Sequence, residues 1–137
     1  MISLSDPTLI LVGSLFLAFV TIESGGWYLT RVATGGHELT EFQKSFHRAG
    51  HGHAGMFVTL GIVAAVVSEA TDLTGAWLWL ARSGIAIAGI VMPAGFFFSS
   101  LHRGATMPNR WMMLVWLGAA LFAASAITLG VGLLRAT

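Results

Sequence analysis

Cysteine is missing from this 137-residue chain, which excludes disulfides, iron–sulfur clusters and thiolate zinc sites and leaves the redox compartment unmarked. Charge is nearly as scarce. Charged residues make up 9 % of the sequence, where a soluble domain carries roughly 25 %. A chain so poor in charge cannot cover itself for water, which excludes an ordinary soluble enzyme and a disordered segment. The net charge of +1 gives no basic field for a polyanion, so no nucleic-acid partner is expected. Lysine occurs once, at Lys44, and there is no Walker loop.

Apolar residues take up 55 % of the chain. They gather in four stretches, about 7–29, 51–67, 76–100 and 111–134, each long enough for a helix to cross a bilayer, which takes about 20 residues. The second is the shortest and could start earlier, near Phe46. The runs lack the period-two alternation of barrel strands, and a lipid-facing backbone must satisfy its own hydrogen bonds. The expected fold is therefore all-α, a four-transmembrane-helix bundle forming a single integral membrane domain over residues 1–137. No Lys or Arg precedes the first span and Asp6 stands where a basic segment would be. That span is expected to be retained, not cleaved as a signal peptide.

Basic residues set the expected orientation. Arg31, Lys44 and Arg48 lie in the first loop, Arg103 and Arg110 in the third; the second loop carries Glu69 and Asp72, and the C-terminal tail only Arg135. The positive-inside rule puts loops one and three in the cytoplasm and both termini outside. Trp27, Tyr28, Trp77, Trp79 and Trp111 fall near span ends, as an aromatic belt does. Arg82, inside the third span near its outer end, has Glu69 or Asp72 to meet. In the first loop Leu39, Phe42 and Phe46 recur at helical spacing against Glu38, Glu41 and Lys44. That pattern predicts a short helix on the cytoplasmic interface. Small residues four apart (Gly61 and Ala65, Gly84 and Ala88, Ala119 and Ala123, Ala126 and Gly130) suit close helix approach, within one bundle or between subunits of an oligomer. Pro93 is expected to kink the third span.

All five histidines collect at the cytoplasmic end: His37 and His47 in the first loop, His51 and His53 opening the second span, His102 closing the third. Glu23 lies eight residues before Arg31, roughly 12 Å inside the boundary at helical rise. A carboxylate at that depth marks either a functional site or a packing group paired with Arg48, Arg103 or a histidine. His47 and His51 are four apart, so they share a helix face and both reach one metal. His51 and His53 lie about 200° apart and point to opposite sides. His51 begins the second span and His102 ends the third. Neighbouring helices about 8–10 Å apart are then expected to bring both to one metal. Haem ligation at the same place requires a wider cleft, for which Gly50, Gly52 and Gly55 give room. His53 is expected to face the first span, a second cofactor or a neighbouring subunit.

Other motifs fail on context. GHGHAG satisfies G-x-G-x-x-G but opens a membrane helix instead of following a strand. His37-Glu38 begins an incomplete H-E-x-x-H, and no Glu-x-x-His occurs, which argues against a carboxylate-bridged di-iron bundle. Met92, Met107, Met112 and Met113 offer soft ligands for copper(I), a role weighed against ordinary filling of apolar space.

FHRAGHGHAG resembles an uncharacterised family of small four-span bacterial membrane proteins, which has a similar Arg-Ala-Gly-His-x-His-Ala-Gly opening to its second helix. ESGGWYLTR at the end of span one and PNRW before span four are also similar to it. The resemblance covers nearly the whole chain, implies a bacterial plasma (inner) membrane location, and singles out Glu23, His51 and His53. It implies no activity. A fainter similarity is to haem–copper oxidase-like subunits, in which a His-x-His pair supplies ligands to two cofactors on opposite faces of one helix. His51, Gly52 and His53 match that pattern, while the other oxidase histidines have no counterparts. What it implies is a simpler haem or copper site.

Three functions from different classes remain. One is a membrane protein with a metal or haem site, the cofactor being haem, copper, iron or zinc, with ligands among His47, His51, His53, His102 and Glu23, acting as a redox or electron-transfer component. Another is a structural or assembly subunit of a larger membrane complex. The third is a homo-oligomer that moves protons or ions through Glu23 and the histidines, although no comparable polar groups line the outer half of the spans.

Overall fold

The computed structural model describes residues 4–137. It consists of four α-helices in chain order: α1 (Asp6–Ala33), α2 (Glu41–Ser68), α3 (Gly75–Ser100) and α4 (Met112–Arg135). All four are long and apolar enough to cross a membrane. Asp6 and Pro7 occupy the first turn of α1, where an acidic group meets the helix dipole and a missing N–H costs nothing. Arg31 lies in the last turn, and Gly35 carries the chain away at φ 83°.

α2 begins earlier than the apolar run does. Thr40 and Gln43 form a reciprocal capping box, so the amphipathic stretch predicted as a separate interfacial helix is the opening of α2. The helix runs unbroken from Glu41 through the histidines to Ser68. Polar contacts explain why the extension is stable. The buried Gln43 donates through Nε2 to the carbonyls of Ser100, at 3.0 Å, and His102, at 3.1 Å. The Thr40 hydroxyl donates to the Ala105 carbonyl. Asn109, in the PNRW segment, donates to the Phe98 and Ser99 carbonyls. The free carbonyls ending α3 are thus satisfied by α2 and by the loop before α4.

α3 is the centre of the bundle. More than half of its apolar window (56 %) is buried, against 6 % for α1. It packs extensively on α2 and on α4, whereas α1 rests chiefly on α2. Close approach depends on residues without side-chain bulk. A Cβ at Gly95 would fall 2.6 Å from the Val115 backbone nitrogen, and one at Gly118 would fall 2.7 Å from Met92 Cβ. Gly61 lies against Ala86, and Gly84 against Ser125, whose hydroxyl donates to the Leu80 carbonyl. Of the small pairs read from the sequence, those in α2 and α3 lie in these contacts, while Gly130 of α4 faces open space. The core between α2, α3 and α4 is built on Phe57, Ile85, Met92, Val115 and Leu129, with Phe57 stacked on Phe122. Met92 is thereby a packing residue. α3 continues as helix through Pro93.

A polar clasp closes the end opposite the histidines. Glu69, just beyond α2, accepts from the hydroxyls of Ser5 and Thr8 at the start of α1. It also pairs with Arg82 of α3 at 3.2 Å. Arg82 is 5 % exposed and its guanidinium also lies 5.6 Å from the Trp79 ring centroid. Of the two partners read for Arg82 from the sequence, Glu69 is the one it meets. The two hydroxyl donors, with Arg82 adding charge, hold the Glu69 carboxyl below the ordinary glutamate range.

Two expectations follow. Gly95→Ala and Gly118→Ala should each lower stability in detergent by roughly 1–3 kcal/mol, since backbone or fixed side-chain atoms must shift. Gly130→Ala, with nothing within 4 Å, should show no such loss in the same thermal-unfolding assay. For Glu69, a depressed folded-state pKa means the clasp stabilises fully above the unfolded value of about 4.3 and is lost as pH falls through the folded value. The stability difference between parent and Glu69→Gln should therefore shrink on acidification through that window. A difference independent of pH would show that the clasp does not titrate.

Candidate functional site

At the other end, the histidines sort by helix face. His47 and His51, one turn apart on α2, both turn towards α1. The His47 ring lies 5.8 Å from that of Tyr28, and Nδ1 is 3.2 Å from the tyrosine hydroxyl. Phe97 of α3 closes its other side at 5.3 Å. His51 lies over the paired glycines of α1. A Cβ at Gly25 would come within 3.2 Å of His51 Nδ1, and one at Gly26 within 3.5 Å of Cε1. Bare backbone therefore makes the seat for this imidazole, and Tyr28 follows one turn further along the same helix.

His53 points the opposite way, as the helical period requires. Its Nδ1 is 2.8 Å from the Ala49 carbonyl, and a carbonyl only accepts, so Nδ1 carries the proton. The ring packs against Phe57 and Phe96, at 5.8 and 5.1 Å between centroids. The assignment of faces made from sequence is thus reversed: His51 meets α1 and His53 meets α3. His102 lies beyond the end of α3 and is exposed; the capping contact uses its carbonyl, not its ring. Among the described residues no hydrogen bond or ring contact joins His51 to His102. Gly50 admits Phe96 and Phe97, while Gly52 and Gly55 face open space. The expected cleft for a flat ligand is filled at Gly50 by aromatic side chains.

Glu23 is exposed on the outward side of α1 and makes no hydrogen bond or ion pair among the described residues. None of its expected partners, Arg48, Arg103 or a histidine, meets it. Among the described residues no three His, Asp or Glu side chains gather as a metal site. What the fold does bring together is a pair, His47 and His51, with Tyr28 beside it and the His37 ring tilted against the tyrosine at 5.4 Å between centroids.

The chemistry of the pair turns on one atom. His47 is 6 % exposed, and its Nε2 is buried without a hydrogen-bond partner among the described residues. A buried polar nitrogen left unpaired is costly. When Nδ1 donates to Tyr28, Nε2 presents a lone pair, the form in which imidazole binds a metal. Neither ring nitrogen of His51 has a protein partner among the described residues. Tyr28 and the Gly25-Gly26 pair were not singled out as site residues from sequence. The signal was present: two adjacent glycines within a span, one turn before its only tyrosine.

No protein-family model, curated protein or solved structure matches this chain.

The five histidines differ enough in exposure for a chemical test. Diethyl pyrocarbonate followed by mass mapping should modify His37 and His102 first, both exposed, and His47 last, with His51 and His53 between. Early modification of His47 would contradict its enclosure by Tyr28 and Phe97.

Proposed function

We propose that this chain is a multi-pass protein of the bacterial inner membrane that holds a transition-metal ion between His47 and His51, and serves as a redox or electron-transfer component. Its first and third loops face the cytoplasm and both termini lie outside, on the charge asymmetry of the loops. The observation that carries the metal reading is the buried Nε2 of His47, unpartnered among the described residues, one helical turn from an imidazole that likewise has no partner among them. Imidazole suits copper, iron and zinc. Two histidines leave coordination positions open, to be filled by water or by a redox partner. Tyr28, on the other ring nitrogen of His47, orients the ligand in the way outer-shell groups do. A bare ion suits this place better than haem, because the His51 ring already occupies the space against α1.

A second reading is that of an assembly subunit of a membrane complex, or of a homo-oligomer. It is favoured by Glu23, a carboxylate exposed on the outward face of α1 beside Phe16, Val20 and Trp27, which are 58 %, 71 % and 67 % exposed. A charged group on such a face is expensive towards lipid and calls for a polar partner from another chain.

Metal titration of the detergent-purified protein, with elemental analysis after desalting, separates the two. The metal reading expects stoichiometric ion, lost in His47→Ala and His51→Ala and kept in His53→Ala and His102→Ala. Tyr28→Phe should weaken retention by roughly 10- to 100-fold. A parent protein that retains no ion would overturn the metal site and leave the assembly reading standing.

A further inference from the structure

Beside the histidine pair, and independent of it, α1 and α2 enclose a crevice of about 70 Å³ lined by Leu29, Val32 and Ala33 on one side and by Lys44 and Arg48 on the other. We infer that this crevice holds the phosphate of an anionic phospholipid.

The lining is one-sided in charge. Lys44 and Arg48 are four apart on α2 and so project from one face, and no carboxylate lines the crevice. Arg48 has no carboxylate within ion-pair distance among the described residues. Lys44 meets Glu41 at 2.8 Å, but that carboxylate is 85 % exposed, the kind of surface pair that solvent and competing anions exchange readily. The surroundings add to the field. This end of the bundle carries Arg31, Lys44, Arg48, Arg103 and Arg110 against Glu38 and Glu41.

Position selects a lipid over a free anion. The apolar wall is the last turn of α1, which ends at Ala33, so the crevice sits where a span meets the headgroup layer. Trp27, 67 % exposed with Arg31 over its ring at 5.5 Å, marks the same boundary. Further along the outward side of α1, Phe16, Leu17 and Val20 are exposed and offer apolar surface to acyl chains, interrupted by the Glu23 carboxyl. The crevice is small and takes a phosphate group, with Arg48 supplying paired donors and Lys44 a point charge. Basic pockets between spans at a membrane boundary select anionic headgroups on these terms.

The test is native mass spectrometry of the intact protein in micelles doped with phosphatidylglycerol, phosphatidylcholine or neither, with inorganic phosphate as a competitor. Phosphatidylglycerol should be retained preferentially, and a Lys44→Gln/Arg48→Gln double variant should weaken retention by about tenfold or more. Ala33→Phe, which fills the crevice without changing charge, should do the same. Arg103→Gln/Arg110→Gln removes equal charge at the same end outside the crevice and should leave retention unchanged. Equal loss in that control would reduce the effect to general surface charge and overturn the site. Displacement of the lipid by inorganic phosphate at equal concentration would reassign the crevice to soluble anions, and indifference to headgroup charge would remove it altogether.

Discussion

Close approach to α3 is the contact on which the rest of the bundle depends. Between spans there is little hydrophobic driving force, since lipid tails are as apolar as leucine, and packing contact has to supply the attraction. Gly95, Gly118, Gly84 and Gly61 remove the bulk that would hold the helices apart. The Phe57–Phe122 stack fills the space that opens further along. Because α3 is gripped from both sides, its C-terminal carbonyls end inside a ring of partners from α2 and the third loop. Those same partners fix the opening turns of α2, and with them the register of His47, His51 and His53.

The polar contacts lie at the two ends of the molecule and differ in kind. At one end, Glu69 has three partners on two other helices and its companion Arg82 is buried. At the other, His47 has one ring nitrogen occupied and one without a partner among the described residues. In the first, the charges of Glu69 and Arg82 answer one another and two hydroxyls join them, although Arg82 Nε has no hydrogen-bond partner among the described residues. The second leaves a lone pair of His47 unanswered among the described residues, next to a tyrosine and a second imidazole, where α1 meets α2.

The four helices were legible because long apolar runs with few charges leave no alternative to membrane-length helix. The start of α2 was misplaced because its first turns are polar; the Thr40–Gln43 capping box was there to be read, but its anchoring on α3 depends on tertiary contacts that hydropathy does not register. The opposition of His51 and His53 followed from helical period alone. Which neighbour each faces did not, since that depends on Gly25 and Gly26 offering a flat seat and on Phe96 approaching from α3. The end of α3 at Ser100 was read correctly, but His102 lies two residues beyond it in the loop, where its side chain is exposed, and nothing in the spacing showed which way a loop side chain turns.

The position of α1 has a mechanical consequence. α2 and α3 are each gripped by more than one helix and α4 packs extensively on α3, but α1 rests lightly and chiefly on α2, and is fastened by hydroxyls to Glu69 at one end and by a tyrosine to His47 at the other. Its departure would uncover less buried surface than that of any other helix, so the weakest joint of the molecule runs between the rod of α1 and the block of α2, α3 and α4. Both the free imidazoles and the cationic crevice lie along the seam between rod and block. Any separation along that seam, with the block left in place, would change access to both at once.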